Sequence, residues 1–261
     1  MSLTFPQLST GSSGQFPIRK SIEHRTIVNR LADGSLIRLA DPDSTRTFWE
    51  LQYSGLSDVE RDRLDAFFNL TGGRLRSFLF LDPCGNLLAN SEDLTTSAWA
   101  LDGGLTTSAS DSTSTIINGA QAAQSFRQTV PVRGDYEYCG SALLRATAPG
   151  KVVLSLSNGN GSISSSTDVT TTGWTVAACL GSIAGDETEI TFGVAVPAGL
   201  SLLVRGLQLE AQPGRSGYRR TTGNPGYHPQ ARFDQDELVF RADGIGNHST
   251  TIRLTARVGG S

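Results

Sequence analysis

RLDAFFNLTGGRLRSFLFLDP, residues 63–83, changes its period midway. Its first half carries apolar residues at helical spacing. Its second half ends in an unbroken run, Phe78 to Leu81, stopped by Asp82-Pro83. Gly72-Gly73 lies between them, and glycine is the usual residue for leaving a helix through the left-handed conformation. Just upstream, Ser57-Asp58-Val59-Glu60 has the spacing of a capping box. Two acids in the first turn also suit the positive end of the helix dipole. The stretch therefore predicts one helix over 57–71, with Val59, Leu64, Phe67, Phe68 and Leu70 on its apolar side. It feeds a strand that ends at Pro83, and its Phe pair is expected to dock on a sheet.

Toward the N-terminus, SIEHRTIVNRLADGSLIRLA (21–40) sets Ile22, Ile27 and Val28 against Leu36, Ile37 and Leu39 around Asp33-Gly34. That is a hairpin signal. RTFWELQYSGL (46–56) alternates Trp49, Leu51 and Tyr53 with Phe48, Glu50 and Gln52, which predicts a strand with one aromatic-rich face.

From about Leu87 small polar residues dominate, yet apolar runs recur: TIING, SFRQTVPV, YEYCGSALLRA, KVVLSLSNG, WTVAACLG, EITFGVAV and SLLVRGLQLE. Short runs separated by Gly, Asn or Pro indicate an all-β sandwich, whereas a disordered segment would lack them. PGRSGYRRTTGNPGYHPQ is loop-like throughout, and within it RTTGNPGYHPQ reads as the return linker between modules, with a flexible binding loop as the alternative. Beyond it ARFDQDELVFRADGIGNHSTTIRLTARV alternates again, with Leu238 and Phe240 set against Ile252, Leu254 and Val258. A tail of 222–261 is short for a stable domain of its own. It is expected to complete the N-terminal stretch. The predicted domains are 1–86 with 222–261, and an insert over 87–221.

The bulk numbers exclude several functions. The chain of 261 residues has 22 basic and 25 acidic side chains, and a net charge of -3 argues against a dedicated nucleic-acid surface. It holds no apolar run long enough to span a membrane. MSLTFPQLST lacks the features of a secretory signal, so synthesis and assembly in a cytoplasm are expected. Cys84, Cys139 and Cys179 are odd in number, form no CxxC pair and lie far in sequence from His24, His228 and His248. Free thiols are expected, with no metal and no cofactor. Two acid clusters, Asp186, Glu187, Glu189 and Asp234, Asp236, Glu237, sit in turn-like or edge-like sequence where carboxylates are simply solvated. GSSG at 11–14 lacks the strand-turn-helix context of a nucleophile elbow. No catalytic residue is assigned, and no enzyme is expected. A sugar, by contrast, would need aromatic platforms for pyranose faces. Trp99, Tyr136, Tyr138 and Trp174 are the candidates, each with a place in the core as its alternative.

Two resemblances follow. FPQLSTGSSGQFPI, then Ser21-Ile22-Glu23-His24-Arg25, then Phe67-Phe68, Gly73-Arg74 and Phe78-Leu79-Phe80-Leu81-Asp82, resemble in that order the N-terminal region of phage and gene-transfer-agent distal tail proteins. NLLANSEDLTTSAW (86–99), QTVPVRGDYEYCGSALLRA (128–146), TTGWTVAA (171–178) and VRGLQLEAQPGRSGYRRT (204–221) resemble a carbohydrate-binding-module-like β-sandwich of the phage tail type. Arg219-Arg220 stand where such modules more often have an apolar residue and Pro.

Together they imply a mainly β fold. It would be a tail-tube-like β-sandwich or barrel with one helix (57–71), interrupted by an inserted jelly-roll-like β-sandwich. The implied role is a structural virion protein in a phage tail: a distal tail ring, six copies by family, joining the tail tube protein to tail-tip or hub proteins. DNA would pass through its channel without specific binding. The insert would face outward, toward host surface glycan or neighbouring tail proteins. A stand-alone carbohydrate-binding module and a virion polysaccharide-degrading enzyme are the alternatives.

Overall fold

The computed structural model of the chain describes residues 3–257. Val258, assigned above to the last strand, lies outside the described residues. The protein is mainly β, with sixteen strands and one helix among the described residues. First come β1 (Ile18–Arg30), β2 (Leu36–Leu56), α1 (Asp58–Thr71) and β3 (Phe78–Leu81). The middle of the chain holds β4 (Ala100–Leu101), β5 (Leu105–Ser110), β6 (Thr113–Asn118), β7 (Gln124–Val130) and β8 (Tyr138–Ala146). It continues with β9 (Gly150–Asn158), β10 (Gly161–Val169), β11 (Thr175–Gly181), β12 (Ile190–Val196) and β13 (Ser201–Glu210). Last come β14 (Tyr227–Phe233), β15 (Arg241–Gly244) and β16 (Asn247–Arg257). These elements form two compact units. One comprises Met1–Ser9, Gly14–Phe80 and His228–Ser261, and the other Thr10–Ser13 and Leu81–Tyr227.

The first unit is built on one sheet of order β1-β2-β16-β14-β3, with β15 paired to β16. β16 runs antiparallel along β2 from Thr250↔Tyr53 to Arg257↔Arg46, so the end of the chain hydrogen-bonds to its beginning. Alternation puts Trp49, Leu51 and Tyr53 on the inner face with Ile252 and Leu254, all buried. α1 packs its Leu64, Phe67 and Phe68 into the same core, against Phe5, Phe78, Phe80 and Phe233. The Phe67–Phe78 and Phe68–Phe233 rings meet edge-on at 5.1 and 4.9 Å, a favoured aromatic geometry.

The helix starts and stops as its sequence predicts. Ser57 Oγ accepts from the Glu60 N–H, and the Glu60 carboxylate accepts from the Ser57 N–H at 3.0 Å. The same carboxylate accepts from Ser9 N–H at 3.0 Å and Ser9 Oγ at 2.6 Å, tying the N-terminal segment to the helix. Gly72, at φ 64°, is the left-handed cap. The apolar face is narrower than expected, however. Val59 and Leu70 are 71 and 52 % exposed. At 100° per residue the inward stripe is Leu64, Phe67, Phe68 and Thr71, and positions 59 and 70 fall on the far side.

β1 and β2 continue as a two-stranded ribbon out to Arg30↔Leu36. Its turn is held by Asp33, whose Oδ1 accepts from Ser35 N–H at 2.9 Å. Ile22, Ile27, Val28, Leu31, Leu36, Ile37 and Leu39 on this ribbon are each between 39 and 57 % exposed. One face carries Ile27, Leu39 and Ile37; the other carries Val28 and Leu36 between Arg30 and Arg38.

The second unit is a jelly-roll-like β-sandwich of two five-stranded antiparallel sheets, β10-β9-β12-β7-β4 and β11-β8-β13-β6-β5. Leu154, Phe192, Val194 and Phe126 from one sheet and Leu144, Leu202, Val204 and Leu209 from the other supply a dry interior. One polar side chain fastens its edges. Asn86 is 1 % exposed. Its Nδ2 donates to Leu207 O at 2.9 Å and to Arg219 O at 3.1 Å. Its Oδ1 accepts from Leu88 N–H at 3.1 Å and Leu209 N–H at 3.0 Å. All four hydrogen-bonding positions of the amide are filled. Beside it, the two ends of the unit touch. Asp82 N–H donates to Gly226 O at 2.9 Å and Gly226 N–H to Asn86 O at 2.7 Å. A Cβ on Gly85 or on Gly226 would stand 2.9 Å from the other's Cα, so only two glycines permit this approach.

Candidate functional site

The site lies on the outer face of the β11-β8-β13-β6-β5 sheet. In β8, Ala142 and Leu144 point inward and Leu143 and Arg145 outward. In β13, Leu202 and Val204 point inward and Leu203 and Arg205 outward. The pairs Leu203↔Arg145 and Arg205↔Leu143 bring these four side chains together. Trp174 stands one residue before β11, just past the Thr175↔Leu144 pair. Its ring therefore falls beside Arg145. The Arg205 guanidinium lies 4.0 Å from the ring centroid and that of Arg145 5.3 Å, both within cation–π range. Ile117 and Val176, 46 and 49 % exposed, extend the apolar surface on either side.

Trp174 is half-buried. Its ring is set among aliphatic side chains, with the Arg205 guanidinium stacked over one face and that of Arg145 close by. Arg145 and Arg205 have no carboxylate within ion-pairing distance among the described residues. Arg127, Arg133, Arg219 and Arg220 of the same unit pair with Asp102, Asp135, Glu210 and Glu92.

The other sequence candidates lie elsewhere. Trp99 is 4 % exposed. Its Nε1 donates to Asn90 O at 3.1 Å and its ring packs on Phe126 at 5.8 Å, so it is a core residue. Tyr138 is fully buried, and its hydroxyl donates to Arg133 O. Desolvation pushes its phenol well above the ordinary value. Neither ring can offer a face to a ligand. Tyr136 is half-buried in the loop before β8, next to the Arg133–Asp135 pair. Leu144 pairs with Thr175 and Tyr138 with Gly181. At about 3.3 Å per residue this puts Tyr136 some ~20 Å or more from Trp174, at the opposite end of the sheet. Of the four candidates, Trp174 alone joins the cluster described here.

Arg145 and Arg205 were not singled out by the sequence. The signal that could have found them is period two: ALLRA and LLVRG each put Arg on the face opposite the buried residues.

Asp234 and Asp236 face Arg74, whose N–H donates to Asp236 Oδ1 at 3.1 Å and whose Nη2 donates to Asp234 O at 2.7 Å. Asp186 and Glu189 are exposed, and the Glu187 carbonyl accepts from Gly134 N–H at 2.8 Å. Among the described residues no three His, Cys, Asp or Glu gather as a metal site, and Cys84, Cys139 and Cys179 form no disulfide. No described helix is long and apolar enough to cross a membrane.

No protein-family model matches the sequence, and no curated protein does. Among solved structures, the carbohydrate-binding module TmCBM61 in complex with β-1,4-galactotriose aligns with 48 % of this chain and 97 % of its own, at 20 % identity and a TM-score of 0.36. The CBM22-1 xylan-binding domain of Paenibacillus barcinonensis Xyn10C aligns with 51 % of this chain and 97 % of its own, at 16 % identity and a TM-score of 0.40. The enzymatically active domain of tailspike protein 4 from bacteriophage CBA120 aligns over 50 % of this chain and 22 % of its own, at 15 % identity and a TM-score of 0.38.

Proposed function

We propose that this chain is a non-catalytic glycan-binding protein, and that its second unit holds sugar rings on the outer face of the β11-β8-β13-β6-β5 sheet. The half-buried ring of Trp174, with the Arg205 guanidinium over one face and Leu143, Leu203 and Arg145 beside it, carries this reading. A pyranose has an apolar face of C–H groups and a rim of hydroxyls. An aromatic ring receives the first, and the fixed N–H fork of arginine donates to the second. The test is a screen of the full chain against immobilised glycans, repeated with Trp174→Ala. Binding that the substitution abolishes supports the assignment; binding indifferent to it refutes it.

A second role, in the first unit, is favoured by the ribbon of β1 and β2. Six large apolar side chains exposed on two strands, with Leu31 in their turn, are far more than a free hairpin tolerates in water. We propose that it docks on another subunit of a closed ring in the tail of a phage or phage-derived particle, between the tube protein and the tip or hub proteins. A heterologous contact whose rotation closes makes such a ring. Co-purification of the chain with tail proteins from assembled particles tests this. A variant with Ile27, Ile37 and Leu39 changed to Ser should drop out of the particle, and its full incorporation would exclude the ribbon as the contact. Both roles fit one virion protein, fixed by its first unit and touching host glycan with its second.

A further inference from the structure

We infer that the sugar held against Trp174 is anionic, a glycan bearing carboxylate or sulfate. This inference rests on the glycan-binding assignment above and names its ligand class. Three observations carry it. First, the second unit has more acids than bases, yet the surface around Trp174 carries two arginines. Second, these arginines lack the carboxylate partners that Arg127, Arg133, Arg219 and Arg220 each have. The nearest acid further along the outer face of β13, Glu210, is bound to Arg219 and Ser216. Third, Arg205 Nε is cut off from water and bonds to no described group. Its guanidinium is thus partly desolvated while its charge is unbalanced.

An anion placed against the two guanidinium groups that sit over the Trp174 ring would meet both forks. Arginine favours such planar, two-oxygen groups over a lone hydroxyl. The apolar side chains nearby lower the local dielectric and strengthen that attraction. A neutral sugar would use the ring and leave both positive charges uncompensated.

The experiment is a glycan array probed with the full chain. It carries uronate, sialylated and sulfated glycans, each beside a neutral counterpart: methyl-esterified, desialylated or desulfated. The expected result is selective retention of one anionic class, about tenfold or more over its neutral counterpart, as charge-assisted hydrogen bonds imply. Retention should weaken as salt rises from about 0.05 to 0.5 M. Arg205→Met and Arg145→Met keep the aliphatic stem and remove the charge. Each should lose that preference while its thermal melt stays within a few degrees of the wild type. Arg205→Lys, which keeps the charge, should retain part of it. The carboxylate and sulfate arms decide which anion is recognised. Trp174-dependent binding of neutral and anionic glycans alike would overturn the inference and leave the glycan-binding assignment standing. No Trp174-dependent binding anywhere on the array would overturn both.

Discussion

Replacing Asn86 by Leu keeps the number and branching of side-chain heavy atoms and removes the polar groups, so the outcome can be worked from four hydrogen bonds. The substitution leaves the N–H groups of Leu88 and Leu209 without their acceptor, and the carbonyls of Leu207 and Arg219 without their donor. Leu88 and Leu209 are fully buried. Each buried donor left unmet costs about 1–3 kcal/mol, and carbonyls, with two lone pairs, suffer less. The expected loss is about 3–6 kcal/mol. That is a large part of the ~5–15 kcal/mol that holds a domain folded. Hydrogen exchange read by mass spectrometry isolates it, because peptides covering β8 and β13 report the second unit alone and peptides covering β2 and β16 report the first. Protection in β8 and β13 should fall by about two to four decades at 1.4 kcal/mol per decade. Protection in β2 and β16 should not change. A fall of less than tenfold in the second unit would mean that the amide does not fasten the sandwich as described.

Other outcomes follow from the same geometry. Phe68→Ala should cost the first unit about 3–5 kcal/mol, because the ring packs edge-on to Phe233; a urea midpoint indistinguishable from wild type would mean the helix is not docked there. Burial would raise the Glu60 carboxyl, but hydrogen bonds from the Ser9 side chain and from Ser57 outweigh it and hold the group at about 2. A depressed carboxylate stabilises the fold above its unfolded value, near pH 4.3, and that contribution is lost as pH falls toward 2. Glu60→Gln should flatten the acid limb of the stability profile in this window, and an unchanged limb would contradict the contact. Burial also raises the thiols of Cys139, to about 11, and Cys179. In the native protein a maleimide should label partly exposed Cys84 alone, with the other two reacting only in denaturant; rapid labelling of all three would show the sandwich to be open.

Local code made the corner at 57–83 legible in sequence. The capping box, the glycine exit and the Phe67-Phe68 pair act within one helix and its next strand. Trp49, Leu51 and Tyr53 were legible for the same reason, since strand alternation is local. Val59 and Leu70 misled because an apolar residue in a helix need not lie on its buried stripe. The ribbon at 22–40 read as a hairpin, but the sequence carries no sign that both its faces are open. The glycan candidates were harder. Trp99, Tyr138 and Trp174 are alike in sequence, and only the pairing of distant strands decides which ring is enclosed. Arg145 and Arg205 are 60 residues apart and meet only because β8 pairs with β13. Asn86 finds partners more than a hundred residues away, which no window of local sequence contains.

The contact of Gly85 with Gly226 has a consequence for how such a chain can change over time. The long stretch of this unit, Leu81–Tyr227, begins and ends at one point, so the flanking chain needs only to bridge a gap of a few ångströms. The entropy of closing so short a gap is small and hardly depends on what fills it. Recombination at this seam would move the sandwich as a block, and any newcomer would also have to seat Thr10–Ser13, which belong to the same unit.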